Sequence, residues 1–258
     1  MSKFILTVVC FFSLTALALA VPPGYKLVWA DEFDGHVLDT NKWTYWLAGR
    51  RNDAVNVSNA VAVSGGKLTI TSYTEGGKQF TGMISTAGKF EPVLGYWEAR
   101  VAFADSPGMW SAFWLQSPTM GRPIGDTLTA GVEIDICEHR VVDNQGTNIA
   151  SKVQHTLHWD GYGQHHQSKA QFTPPMKLER GFHVYGCEVM TNGYRFFVDG
   201  KLTWTTKEAP SQAKEFGILS SEIKDFAWSG HIPTNGYGDL KHSKTKMVTD
   251  YVRYYSRE

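Results

Sequence analysis

The sequence predicts an all-β chain, folded as a sandwich or a barrel, and three observations predict it. Apolar and polar residues alternate with a period of two along much of its length, the pattern of half-buried strands. The alternating runs are short and are separated by Gly-rich turns, among them Asn192-Gly193 and Asp199-Gly200. No stretch carries the periodicity of a convincing helix. Many short strands with turn signals between them belong to sandwiches and barrels.

In chain order, the first segment stands outside that fold. Residues 1–20, MSKFILTVVCFFSLTALALA, join Lys3 to an apolar core and a small-residue ending at Ala18-Leu19-Ala20. That is the anatomy of a secretory signal peptide. Its apolar run falls short of the roughly 20 residues a membrane span needs, and no later stretch approaches that length. A secreted or periplasmic protein is expected, with residues 21–258 forming one domain and no membrane partner. In "GGKLTITSY", Leu68 and Ile70 face one way and Lys67, Thr69 and Thr71 the other. "GYWEARVAF" sets Ala99, Val101 and Phe103 against Glu98 and Arg100. Residues 182–206 read as three antiparallel strands turning at the two dipeptides above, and "KMVTDYVRYYS" reads as a closing strand. "PPMKLERG" (174–181) and "PSQAKEF" (210–216) are each expected to give a turn or a short helix.

Charge excludes some partners. The full chain balances 25 basic against 25 acidic residues, and loss of residues 1–20 removes only Lys3. Such neutrality gives no electrostatic reason to bind nucleic acid or an anionic membrane. Aromatic content is high, with nine Trp, eleven Tyr and fourteen Phe, enough to supply a core and also flat platforms for sugar rings. Cys137 and Cys187 are the cysteines left after the leader. Both sit in apolar strand-like runs, which favours buried free thiols over a disulfide.

"AGVEIDICEHR", residues 130–140, places Glu133, Asp135 and Glu138 in an otherwise apolar strand. Residues two apart share a face, so Glu133 and Asp135 point together while Glu138 has the wrong parity. Burying Glu138 as an ion in the sandwich would cost several kcal/mol, about what an unpaired buried polar group costs or more. A β-bulge at Ile136-Cys137 returns it to the common face. The outer pair then lie about 13 Å apart at Cα, and long side chains leaning inward close most of that gap. Carboxylates about 5–5.5 Å apart suit a retaining glycosidase, in which one attacks the anomeric carbon and the other protonates the leaving oxygen. Asp135, between them, can share a proton with the nucleophile. Spacing alone leaves open a solvated edge strand or a calcium site.

"EIDICE" resembles the E-[IV]-D-x-x-E signature of glycoside hydrolase family 16. "KLVWADEFDG", "GGKLTITS", "GYWEARV", "GMWSAFWLQ", "FHVYGCEV", "YRFFVDGKL" and "DYVRYY" resemble further family blocks in the family's order. The resemblance implies a jelly-roll β-sandwich of two antiparallel sheets, with an open concave cleft for a polysaccharide. It implies Glu133 as nucleophile, Glu138 as acid/base and Asp135 as the assisting carboxylate. Trp110 and Trp114, four apart on one strand face, correspond to cleft-lining sugar platforms. His155 and His158 have opposite parity, which argues against a shared metal site; His158 resembles a family histidine beside the catalytic strand that bonds a carboxylate or a sugar hydroxyl. His165-His166, in a Gly-rich loop, reads as a solvated pair. No cofactor is required for catalysis; a structural calcium is allowed, with Glu32 and Asp250 in the corresponding blocks. A monomer is expected.

The sequence departs from the family's licheninases at Gly131, where Trp is usual two residues before the nucleophile. It also differs at Val189 and at Ala60-Val61, and in the longer approach over residues 117–131. An endo-acting β-1,3(4)-glucanase of laminarinase type is the leading expectation. An endo-β-galactanase acting on agar-, carrageenan- or mucin-type chains is the alternative, and a non-catalytic carbohydrate binder on the same fold is the third reading. Sulfated galactans call for a basic cleft, for which Arg50-Arg51, Arg122 and Arg140 are the candidates.

Overall fold

Alternation along the strands becomes two stacked antiparallel sheets. The computed structural model describes residues 21–173, 181–225 and 228–258. The predicted leader and nearly all of the turn or short helix expected at 174–181 lie outside the described residues. Among the described residues, one sheet runs in the order Lys201–Thr206, Gly193–Val198, His183–Met190, Gly95–Ala102, Lys246–Arg257, Leu68–Thr71 and Val61–Val63. Tyr25–Asp31 also pairs with the long Lys246–Arg257 strand. The second sheet runs Gln167–Phe172, Gln154–Trp159, Glu133–His139, Met109–Gln116, Phe216–Ile223, Met83–Ser85 and Thr44–Tyr45. A small third sheet is built from Gly49–Arg51, Ala54–Asn56, Lys78–Thr81 and Tyr73–Glu75.

The core lies between the two large sheets and follows strand parity. Trp97, Ala99 and Val101 from the first meet Phe113, Leu115, Ile134 and Leu157 from the second, all buried. Each fully buried side chain of this size is stabilised by about 1.5–3 kcal/mol relative to exposure. Cys137 and Cys187 are free thiols in this core. Because the inward residues of the second sheet are apolar, its other face is left for Trp110, Ala112, Trp114 and Gln116 on one strand and Ser220 and Glu222 on the next.

Two local expectations shift. The second hairpin of the 182–206 meander turns at Asp199-Gly200, both at positive φ (49° and 73°), as a two-residue turn with matching twist requires. The first turns at Thr191-Asn192 instead, one residue earlier than expected, since Met190 pairs with Gly193. Gly193 opens the next strand at φ 138°, and a Cβ there would lie 2.2 Å from the Thr206 carbonyl oxygen. Residues 210–216 form no helix; the one α-helical turn among the described residues is Thr127–Ala130. No helix among the described residues is long and apolar enough to cross a membrane.

Candidate active site

The bulge falls where the carboxylates need it. Against Met109–Gln116, Trp114 pairs with Asp135 and Phe113 with Cys137, so Ile136 is the extra residue. Against Gln154–Trp159, Thr156 pairs with Asp135 and Gln154 with Glu138, so Ile136 and Cys137 together face His155. Both bulge residues point into the core. His155 Nδ1 meets the Ile136 carbonyl at 2.6 Å, a partner for a backbone group that the disrupted ladder leaves over. Glu133, Asp135 and Glu138 consequently share the cleft face.

Glu133 and Asp135 line a cavity of about 450 Å³ together with Trp110, Trp114, Gln116, His158 and Tyr162. Glu133 Oε2 accepts from Gln116 Nε2 at 2.9 Å and from the Tyr162 hydroxyl. Glu138 is 4 % exposed and does not itself line that cavity. It joins the cavity through Trp110, whose Nε1 donates to Glu138 Oε1 at 2.9 Å. Thr156 Oγ1 donates to the other oxygen at 2.5 Å. Asp135 Oδ2 is buried without a hydrogen-bond partner. His158 Nε2 is the nearest cation-capable group, at 3.4 Å from that oxygen and 4.0 Å from Glu133 Oε1.

These surroundings set the protons. Burial pushes Glu133 and Glu138 up to about 7, with hydrogen bonds from Tyr162 to the first and Thr156 and Trp110 to the second pulling the other way. Burial also raises Asp135, reinforced by the negative charges of Glu138 and Glu133 on either side. Three carboxyls crowded into one cleft therefore keep protons to higher pH than isolated ones, and near neutrality proton and negative charge are shared among them. Burial, and then His166, pushes His158 down to about 4, so its imidazole is neutral there.

The sequence-predicted platforms take unequal positions. Trp110 is half-buried and meets Trp228 edge-on, with ring centroids 5.0 Å apart. Trp114 forms more of a floor: it is 6 % exposed, packs in a small apolar cluster with Phe216 and Ile218, and spends its Nε1 on Ser220 Oγ at 3.0 Å. His165 and His166 are exposed, as expected of a solvated pair, yet His166 also has a partner: its Nε2 lies 2.9 Å from His158 Nδ1 and the two rings stack, which brings His166 into the cavity lining.

Several site residues carried no motif signal. Glu222 faces the cavity and is forked by Arg51 at 2.8 and 3.0 Å and by Asn52 at 2.6 Å, so the cavity's arginine is neutralised where it stands. The Arg51–Glu222 pair joins residues 171 positions apart, which alternation cannot foresee. Gln116 was within reach of parity reasoning, since it lies two residues beyond Trp114. Tyr162 and Gln116 also border a second hollow of about 480 Å³ with Arg122 and His165.

Glu32 and Asp250 do not fit a calcium shell as placed. Arg253 forks Glu32 at 2.8 and 2.9 Å, while Asp250 is held by Arg100 at 2.7 Å and Lys67 at 3.6 Å. Calcium needs about six to eight oxygen ligands, and these carboxylates are already met by cationic side chains. Gly131 has a backbone reason for its identity. It closes the Thr127–Ala130 turn at φ 76°, and a Cβ there would lie 2.3 Å from Ser117 Cβ and Oγ.

A family model for the GH16 domain of β-porphyranases A–D matches residues 27–257. β-Porphyranase E of Zobellia galactanivorans is 33% identical, over 71% of this chain and 71% of that protein. Glucan endo-1,3-β-glucosidase A1 of Niallia circulans is 25% identical over 91% of this chain, which spans only 38% of that protein's length. Among solved structures, porphyranase B of Z. galactanivorans superposes with a TM-score of 0.72 at 20% identity, over 90% of this chain and 92% of that one, a likeness of fold.

Proposed function

The chain belongs to glycoside hydrolase family 16, and from that premise we propose that it cleaves internal β-linkages of a polysaccharide by double displacement. The observation that carries this reading is the bulge that brings Glu133, Asp135 and Glu138 to one cleft face. Glu133 attacks the anomeric carbon as the bond to the leaving oxygen breaks. Glu138 gives that oxygen its proton, and the product departs. Water then donates a proton to Glu138 and attacks the same carbon, releasing Glu133 and retaining configuration. Asp135, whose carboxyl is raised well above its ordinary range by burial and by its two neighbours, buffers the negative charge that shifts between them.

For the substrate, a β-galactan of the agar–porphyran class comes first, because the matched family model and the 33% identical relative are both porphyranases. β-1,3(4)-Glucan is the second reading, supported by the glucanase likeness over 91% of the chain. The Arg51–Glu222 fork offsets the charge of the arginine that lines the cavity, which suits an unsulfated sugar at the scissile bond in either case. The test is the release of reducing ends from porphyran, agarose, carrageenan, mucin glycans, β-1,3-glucan and mixed-linkage glucan. At least one chain should be cut internally. Glu133→Gln and Glu138→Gln should each lose a factor of about 10² or more, the usual scale of positioned acid–base and nucleophilic help. Unaltered hydrolysis by either variant refutes the roles.

A further inference from the structure

Arg140 is a buried cation two residues beyond Glu138, and no carboxylate lies within ion-pair distance of it among the described residues. Its Nη1 donates to the Trp228 carbonyl at 2.6 Å and its guanidinium lies 3.5 Å from the Trp228 ring centroid. Its Nη2 donates to Gln154 Oε1 at 3.1 Å. A guanidinium can only donate, and that fixes the direction of every bond after it. Gln154 must turn its carbonyl oxygen toward Arg140, so its NH₂ faces the other way. That NH₂ lies 3.0 Å from Thr156 Oγ1 and 3.5 Å from Glu138 Oε2. Thr156, accepting from Gln154, has its own hydrogen left for Glu138 Oε2.

Two donors whose orientation cannot reverse therefore converge on Glu138 Oε2, and a proton on that oxygen would face them. The geometry points to a positioning relay, Arg140–Gln154–Thr156, that keeps the Glu138 proton on Oε1 and stabilises the carboxylate once that proton has left. Oε1 is the oxygen bonded to the cavity-lining Trp110, so the proton is presented on the substrate side. This rests on the acid/base role given to Glu138 above. None of Arg140, Gln154 and Thr156 lines the cavity. The relay's effect is on where the proton sits and how readily it leaves.

The groups bearing on Glu138 are Glu133 and Asp135 on its own strand, and Glu222 across the Met109–Gln116 strand, itself forked by Arg51. Thr156 and Gln154 face it from the neighbouring strand, on which neutral His158 stands opposite Glu133, and Trp110 faces it from the other side. Arg140 is the cation among them that favours the Glu138 carboxylate. Removing Arg140 or the Gln154 amide should make the proton harder to give up.

The experiment measures kcat/KM against pH for Arg140→Met, Gln154→Leu and Glu138→Gln, each with an oligosaccharide substrate and with its dinitrophenyl glycoside. kcat/KM reports only the first, acid-assisted step, and dinitrophenolate leaves without a proton. Both relay variants should lose about tenfold on the oligosaccharide, part of the roughly 10²–10⁴ that a positioned acid supplies, and under about twofold on the aryl glycoside. Their alkaline limb should move up by about half to one pH unit. Gln154→Leu leaves the Arg140–Trp228 contact in place, so the test survives if Arg140→Met fails to fold. Equal losses on both substrates with an unmoved limb, while Glu138→Gln is inactive on the oligosaccharide, overturn the relay. If Glu138→Gln still cleaves the oligosaccharide, it is the acid/base role itself that fails.

Discussion

At the scale of single residues, the site is defined by acids held where acids are unstable. The unfolded chain releases their protons near their ordinary values, whereas the folded chain keeps those of Glu133 and Glu138 to about 7 and that of Asp135 well above its ordinary value. The folded state therefore binds more protons than the unfolded one from about pH 4 upward, and stability falls as pH rises through that window. Asp135→Asn removes one such acid, whose Oδ2 has no partner to lose. Its melting temperature should match the parent near pH 4 and exceed it by about 2–4 °C at pH 8, the shift that about 1 kcal/mol gives a chain of this size. The gain should come with a lower kcat. A parent advantage that grows with pH would contradict the reading.

At the scale of elements, strand Glu133–His139 keeps its three acids on one face because a bulge at Ile136-Cys137 absorbs their odd spacing. With Ile136 kept and no bulge, regular alternation would turn Glu138 into the core; with Ile136 deleted, the remaining residues alternate regularly and Glu138 keeps the face of Glu133 and Asp135. Reducing-end assays of the deletion variant should therefore find hydrolysis that still depends on Glu138, lost with Glu138→Gln in that background; hydrolysis indifferent to Glu138 there would remove strand parity from the account. The bulge was legible in the sequence because Glu138 had the wrong parity and an unpaired buried acid is costly. The meander, the closing strand and the core-facing residues were legible for the same reason, periodicity. Turn placement was less so: Asn192-Gly193 carries the dipeptide of a tight turn, yet cross-strand register moved the turn to Thr191-Asn192. Gly131 looked like a substrate determinant by comparison with Trp-bearing relatives, whereas its positive φ and the Ser117 contact make it a backbone requirement.

At the scale of the whole molecule, a concave sheet carries the carboxylates, and the two hollows flanking Tyr162 and Gln116 together offer room for an extended chain. Contacts that join distant segments were the part hidden from the sequence. Arg51 reaches Glu222 from the small third sheet, Tyr162 reaches Glu133 from a loop, and His166 folds back onto His158. None of these follows from alternation or from a local motif, because each depends on how sheets and loops meet. Glu32 and Asp250 fell in blocks that allowed calcium, and it was the placement of Arg253, Arg100 and Lys67 that settled their charges otherwise. The central claim is that Glu133 forms a covalent bond to the sugar. It is tested most directly by incubating the enzyme with an activated 2-fluoro glycoside of its substrate and mapping the modified peptide by mass spectrometry. One sugar on Glu133 is the predicted result; an adduct on Glu138 instead, or none in enzyme that the reagent inactivates, would contradict it.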